Sequence, residues 1–250
     1  MGIIMKECAF VIGDIHGMAD MLEQLLQEWD QENEQLIFVG DLIDRGPKIK
    51  RTLELAIGLQ ENQGANIIRG NHEAMLLEFL TEAERYWSRY QRNGGMTTLS
   101  ELTGETAERL SELSLGEFVT LVKERQPWVE PWLHSLPYYI EFGNWVIVHA
   151  GVDLKIENWK ESEPTRFYWI RDDFHKADNL TGRKFLFGHT PLPYLNGSTS
   201  DLTIWEHQDK LGIDGGAVYG GDLIGLHIHR DGSILSESRV KGPGEFKDED

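Results

Sequence analysis

Five short apolar runs in this chain end on side chains that can bind a metal ion or carry a proton. Ala9-Phe10-Val11-Ile12 leads into Gly13-Asp14-Ile15-His16-Gly17, and Leu36-Ile37-Phe38-Val39 leads into Gly40-Asp41-Leu42-Ile43-Asp44-Arg45-Gly46-Pro47. Asn66-Ile67-Ile68 is followed by Gly70-Asn71-His72-Glu73, Val146-Ile147-Val148 by His149, and Phe185-Leu186-Phe187-Gly188 by His189. Such runs read as buried strands, and open α/β sheets hold their chemistry just past the carboxyl ends of strands. Asp14, His16, Asp41, Asn71, His149 and His189 offer oxygen and nitrogen but no thiolate. That donor set suits manganese, iron, cobalt or zinc and argues against an all-oxygen magnesium or calcium cage. It exceeds what one tetrahedral ion takes. It suits two ions about 3.5–4 Å apart that share one carboxylate and one water. A single such residue reads as a cap on a strand end; the whole set at strand ends reads as a site.

The elements between these ends must bring them together. Asp20 is placed to cap a helix whose apolar positions Leu22, Leu25, Leu26 and Trp29 keep helical spacing. Pro47 stands near the start of a second helix, with Leu53, Ala56 and Ile57 inward and Gly64 closing it. A long third helix is expected from Ala74 to about Tyr90, broken by Asn93-Gly94-Gly95. The segment up to Tyr90 thus reads β-α-β-α-β-α, which favours parallel strands with right-handed crossovers. From Thr98 to Pro137 the pattern stays helical, with Leu110, Leu113, Phe118, Leu121 and Val122 on apolar faces. This is read as a helical insert, either partly covering the site or packed on the sheet as a plain crossover. After Pro137 the chain turns β-rich. Tyr138 to Phe142 and Trp145 to Val148 flank Gly143-Asn144, a hairpin signal. Further strands are expected at Lys184–Phe187, Thr203–Trp205, Leu211–Asp214 and Leu223–His229, the last with Ile224, Leu226 and Ile228 on its core face. The fold class is α/β: two sheets packed face to face, with helices outside.

No Pro/Gly/Ser-rich linker divides the 250 residues, so 1–250 reads as one domain with its insert at about 98–137. A hydrophobic content of 40% with 10% aromatics supports a packed core. The formal charge of -18 repels nucleic acid, and no basic stripe offsets it. Cys8 is the sole cysteine, so no internal disulfide can form; it is expected to be buried and inert. Lys6 and Glu7 interrupt any signal-like apolar region and no run is long enough to span a membrane, so a cytosolic chain is expected. The segment from Gly242 to Asp250 is polar and expected to fray.

The stretches GDIHG, GDLIDRG, GNHE, VIVHAG and FGHT, in this order from Gly13 to Thr190, resemble the phosphoprotein phosphatase branch of the calcineurin-like metallophosphoesterases. The resemblance implies a metallophosphoesterase-type β-sandwich of two mixed sheets flanked by helices, with a two-metal centre. Carried over, Asp14 and His16 hold the first ion, Asp41 bridges, and Asn71, His149 and His189 hold the second. Manganese is the expected metal, with iron or zinc as alternatives. Two cations would lower the pKa of a bridging water, so that a hydroxide attacks phosphorus directly without a phosphoenzyme. Arg45 offsets charge on the phosphoryl oxygens. The resemblance makes His72 the general acid for the leaving oxygen, with Asp44 orienting it and favouring its protonated form. By similarity to a Trp-x-Arg stretch of bacterial members, Arg171 is expected as a second phosphate arginine; the competing reading pairs it with Asp172 or Asp173 at the surface.

Substrate is the open choice, because one such centre serves protein phosphatases, dinucleoside-polyphosphate hydrolases and RNA-end phosphoesterases. The symmetrical dinucleoside tetraphosphatases resemble this chain but lack the acid of the Asp-Arg pair. Here Asp44-Arg45 is intact, which favours phosphoserine, phosphothreonine or phosphotyrosine esters in a phosphoprotein or phosphopeptide. Dinucleoside tetraphosphate hydrolysis is the alternative. An inactive phosphopeptide-binding scaffold is the reading from outside enzymology, and it predicts a lost ligand that this sequence does not show. Tyr219 reads as approaching the site or merely packing, Trp128 and Trp132 as flanking a substrate groove or as core, and His227 and His229 as ordinary structural histidines.

Overall fold

The structure, a computed structural model, describes residues 6–247. Strands β1 (Cys8–Ile12), β2 (Glu34–Phe38) and β3 (Asn66–Ile67) alternate with helices α1 (Ala19–Leu25) and α2 (Ile49–Gln63), and both strand pairs are parallel as the β-α-β reading requires. Six helices follow: α3 (Asn71–Thr81), α4 (Ala83–Arg92), α5 (Gly95–Thr103), α6 (Ala107–Ser111), α7 (Leu115–Arg125) and α8 (Val129–Ser135). Next come β4 (Tyr139–Phe142) and β5 (Trp145–Val148), the expected hairpin, then α9 (Pro164–Trp169), α10 (Asp172–His175), β6 (Lys184–Phe187) and α11 (Leu192–Asn196). Strands β7 (Trp205–His207), β8 (Lys210–Gly212), β9 (Leu223–His229) and β10 (Ile234–Val240) complete the order.

The strands form two mixed five-stranded sheets, β10-β9-β1-β2-β3 and β4-β5-β6-β8-β7. Between them lies a cluster of Ala9, Val11, Ile37, Trp145, Ile147 and Leu186, joined by Ile224, Leu226 and Ile228 on the predicted core face of β9. The other face of β9 is also covered: Phe10 stacks on His227 at 4.2 Å, and a Cβ at Gly225 would lie 2.4 Å from the Phe10 ring. Helices α1 to α8 cover the outer face of the first sheet through Leu22, Leu53, Met75, Phe79, Phe118 and Leu133. Trp159, Phe167 and Phe174 cover the second, in one cluster with Phe185 and Phe187 of β6.

The structure corrects several local expectations. Helix α1 starts at Ala19, and Asp20 sits inside its first turn, paired with Lys48 at 2.7 Å instead of capping. Trp29 lies past the helix in extended backbone, where its indole donates to the Glu34 carbonyl at 3.0 Å. The long third helix begins earlier, at Asn71, and is broken at Glu82 (φ -136°, ψ 60°) into α3 and α4. Strand β10 was not foreseen, because Ser236, Glu237, Ser238 and Arg239 hide its period on an exposed edge. Cys8 is partly exposed rather than buried. Of the segment expected to fray, residues 248–250 lie outside the described residues, and Gly242 to Lys247 is docked: Lys247 donates its backbone N–H to the Tyr219 carbonyl at 2.8 Å, and Phe246 packs on Tyr194 and Tyr219. Among the described residues, no helix is long and apolar enough to cross a membrane.

Candidate metal centre

The five strand ends meet. Asp14, His16, Asp41, Asn71, His72, His149 and His189 are each at most 6% exposed, and Asp14, His16, Asp41, Asn71, His72 and His189 line one cleft. The chain reaches this geometry through strained backbone. Five of the seven described non-glycine residues with positive φ are His16, Asp41, Asp44, Arg45 and His189. Left-handed backbone disfavours residues with a Cβ, so its concentration here means that the surrounding fold holds these turns. Two glycines admit the close approach of the carboxylates. A Cβ at Gly70 would lie 2.1 Å from Asp41 Oδ1, and one at Gly188 would lie 1.9 Å from Asp14 Oδ1.

Ring orientation is fixed from behind. His16 Nδ1 donates to the Ile43 carbonyl at 2.7 Å and His149 Nδ1 to the Val39 carbonyl at 2.9 Å. Each Nε2 therefore faces the centre and is the nitrogen left to a metal ion. Asn71 Oδ1 lies 2.9 Å from His149 Nε2 and 2.7 Å from His189 Nδ1. Asp41 Oδ2 lies 3.4 Å from His149 Nε2, 3.5 Å from His16 Nε2 and 3.9 Å from His72 Nε2. Two groups of ligand atoms, His16-Asp41-His72 and Asp41-His149-His189, each gather within 4.8 Å, and Asp41 belongs to both. Asp14 Oδ1 and His189 Nε2 are buried with no partner among the described residues. Converging lone pairs, orphaned buried acceptors and a carboxylate common to two groups fit a pair of divalent cations.

Electrostatics points the same way. Burial and then Asp214 push the Asp14 carboxyl well above its ordinary range. Burial holds the His16 and His189 imidazoles well below theirs, aided by Arg45 beside the first and His149 beside the second. Burial also works against the charge on Asp41, yet His149 and His72 keep its carboxyl well below the usual range. Burial opposes a proton on His149 too, but the Asp41 carboxylate raises that imidazole to about 9. A protein-only site therefore places protons where cations would otherwise sit, and bound cations would displace them.

His72 is joined to Asp44 through Nδ1 at 2.7 Å, which turns its Nε2 to the cleft. The other Asp44 oxygen accepts from Thr98 Oγ1 at 2.5 Å and from Tyr90 Oη at 3.0 Å. Burial pushes the Asp44 carboxyl up to about 8, against the pull of these two hydroxyls and of Arg45. Arg45 Nη1 donates to His72 Nε2 at 2.6 Å and to His16 Nε2 at 3.1 Å, and its guanidinium lies 5.4 Å from the Tyr219 ring centre. Arg171 lines the cleft, donating to the His189 carbonyl at 3.4 Å. The acids proposed as its surface partners are engaged elsewhere, Asp172 with Lys176 and Asp173 with Lys155 and Arg166. Tyr219 reaches the cleft as well as packing. Trp128 and Trp132 do not flank it. They line a separate groove with Leu53, Ile57 and Leu102. No cleft-lining residue comes from 98–137; Asn93, just before, is one, and Thr98 acts only from behind Asp44. His227 is tied to Glu34 at 2.7 Å and His229 to Asp231 at 3.0 Å, so they form no metal pair.

Sequence reasoning missed several supports. Glu73 is fully buried and accepts backbone N–H groups of Asp41 and Gly70 on one oxygen and of Leu42 on the other, all at 2.9 Å. Burial and Asp41 raise its carboxyl to about 7. Asp214 lines the cleft after β8 and before Gly215-Gly216, the same strand-end pattern that marked the others, and could have been found by it. Tyr90 and Thr98 carried no signal, since a buried hydroxyl on a helix looks like any core-facing position.

The chain matches the calcineurin-like phosphoesterase family over residues 9–224. It is 32% identical over 219 residues to a serine/threonine-protein phosphatase 1 of Salmonella typhimurium, covering 86% of this chain and 88% of that one. It is 26% identical over 237 residues to an asymmetrical bis(5'-nucleosyl)-tetraphosphatase PrpE of Oceanobacillus iheyensis, covering 85% of each. A crystal structure provisionally described as a diadenosine tetraphosphatase superposes with a TM-score of 0.64 at 20% identity, over 96% of this chain and 95% of that one.

Glu73→Gln should loosen the centre from below. An amide offers one acceptor oxygen where three N–H groups now converge on two, so at least one buried donor is left unmade. The expected loss is about 1–3 kcal/mol in urea unfolding, with reduced affinity for divalent metal. Unchanged stability and metal affinity would show that Glu73 does not hold the turns.

Proposed function

The chain belongs to the calcineurin-like phosphoesterase family, and from that premise we propose that it is a two-metal phosphomonoester hydrolase, a serine/threonine protein phosphatase permissive toward other phosphomonoesters. The observation that carries this reading is the buried Asp44–His72 pair at 2.7 Å. An alkoxide leaving from phosphoserine or phosphothreonine needs a proton, whereas a departing nucleotide phosphate needs less help. A buried acid wired to a carboxylate serves the first case.

In this reading residues 1–250 act as one metallophosphoesterase unit. Asp14, His16 and Asp41 would hold one divalent ion, and Asp41, Asn71, His149 and His189 the other. Bound ions would supply Lewis acidity and a water acidic enough to lose its proton near neutral pH. Nε2 of His72, which accepts from Arg45 in this structure, would take up a proton once a phosphate draws Arg45 away and deliver it to the leaving oxygen, while Asp44 holds Nδ1 and keeps the ring aimed. Arg45 and Arg171 bind the non-bridging phosphoryl oxygens, and a phosphate gives Arg45 a stronger, charge-assisted partner than the imidazoles it now meets.

Dinucleoside tetraphosphate hydrolysis is the second reading, kept because relatives of that name share 26% identity over a comparable span. A phosphothreonine peptide and diadenosine tetraphosphate, assayed in parallel with manganese-loaded protein, separate the two. Faster turnover of the dinucleotide would overturn the protein phosphatase reading.

Asp41→Asn should lower the number of metal ions bound as well as turnover, read by metal analysis after dialysis; two ions retained would remove Asp41 from the bridging role. For His72→Asn, a loss of about 10²–10⁴ in kcat is expected on alkyl phosphates and a much smaller one on aryl phosphates. Equal losses would sink the general-acid assignment. The pH profile tests Asp44. Asp44→Asn removes the group whose ionised form favours imidazolium, so the alkaline limb of kcat should fall by about one to three pH units. Thr98→Val removes a donor that stabilises the Asp44 carboxylate, which pushes that carboxyl further up and leaves less charge facing His72, so the same limb should fall as well, by less. A limb that stays put in both variants contradicts the pairing.

A further inference from the structure

Three rings stand beside the cleft and belong to none of the apolar clusters that pack the sheets: Tyr194 on α11, Tyr219 in the loop after β8, and Phe246 in the segment after β10. Phe246 packs edge-on against both tyrosines, with ring centres 5.7 Å from Tyr194 and 5.9 Å from Tyr219. The backbone is built to receive it. Gly216 has φ +68°, and a Cβ there would lie 2.5 Å from the Phe246 ring. A Cβ at Gly220 would lie 2.6 Å from the Glu245 carbonyl oxygen, and Lys247 donates to the Tyr219 carbonyl at 2.8 Å. Phe246 does not line the cleft, but both tyrosines do. Tyr194 is 43% exposed there, with Phe246 on one flank. Tyr219 meets the Arg45 guanidinium at 5.4 Å, which puts the edge of this wall next to an arginine that faces the candidate ligands His16 and His72.

We infer that Tyr194 and Tyr219 form an aromatic wall that selects phosphomonoesters with a planar ring on the leaving group, and that Phe246 is the positioning residue that sets this wall. The inference rests on the phosphomonoesterase reading above and deepens it by assigning the residues that distinguish aryl esters from alkyl esters at the same site. Arg45 stands 5.4 Å from the Tyr219 ring and lines the same cleft as Tyr194, so on this inference a ring on a phosphoryl group held by Arg45 meets the wall. Aromatic pairs gain from edge-to-face contact beyond the area they bury. An alkyl ester passes the same wall without that gain. Phe246 acts only through the two tyrosines, so its loss should change discrimination between rings and alkyl groups.

The test uses manganese-loaded protein and two non-hydrolysable probes, phenylphosphonate and methylphosphonate, titrated by calorimetry. The wild type should bind the phenyl compound about three- to tenfold more tightly. Phe246→Ala should remove most of that preference and Phe246→Tyr should keep it. Tyr194→Ala, at an exposed position where folding is not at stake, should lower it too. A general structural defect would weaken both probes alike and leave the ratio intact, so an unchanged ratio in Phe246→Ala overturns the positioning role. Equal binding of both probes by the wild type overturns the wall. If the metal-loaded protein binds neither probe, the phosphomonoesterase reading fails and the inference falls with it.

Discussion

Burial of ionisable groups that oppose one another is the constraint on which this structure depends. Asp14, Asp41, Asp44, Glu73 and Asp214 crowd the same edge as His16, His72, His149 and His189, all nearly withdrawn from water. Removing such groups from water favours their neutral forms, and the carboxyls of Asp14, Asp44, Glu73 and Asp214 all shift upward for that reason. A fold gains nothing in stability from assembling such a cluster by itself. Its presence at the junction of two sheets, with lone pairs turned inward, makes sense as a socket whose missing charge is supplied by divalent cations.

The rest of the molecule can be read as the means of holding that socket. The sandwich brings together strand ends far apart in the chain, and its apolar inter-sheet core fixes their spacing. Turns at positive φ then aim His16, Asp41 and His189 inward. Such strained turns persist only where other contacts determine the backbone. Glu73 is the clearest of those contacts, because one buried carboxylate gathers N–H groups from the turn after β2 and from the start of α3. Backbone carbonyls behind His16 and His149 settle which ring nitrogen faces the centre. In each case a buried polar group is satisfied by backbone, as buried polar groups must be.

The helices serve the site from a distance. Tyr90 on α4 and Thr98 on α5 both reach one oxygen of Asp44, leaving the other for His72. The region read as an insert therefore supports the Asp44–His72 pair rather than roofing the cleft. On the opposite side, the segment after β10 closes on the loop that carries Tyr219. Two segments without a polar motif of their own thus shape how the cleft presents an acid and a wall.

The sequence by itself determined the parts that depend on local order. Apolar runs of strand length ending in glycine and a polar residue marked Asp14, His16, Asp41, Asn71, His149 and His189. Gly64 marked the end of α2 and Gly143-Asn144 the hairpin, because those signals are backbone preferences of single residues. The alternation in β9 revealed its core face for a similar reason. Tertiary structure alone decided the rest. The break at Glu82, the exposed edge strand β10 and the docked Phe246 depend on what the remaining chain presents to them. Tyr90, Thr98 and Glu73 became supports only when folding set distant backbone and carboxylates beside them. Proximity across the fold is not a property of a local pattern, and what was legible was the set of donors, while their aim, protonation and backing required the assembled sandwich.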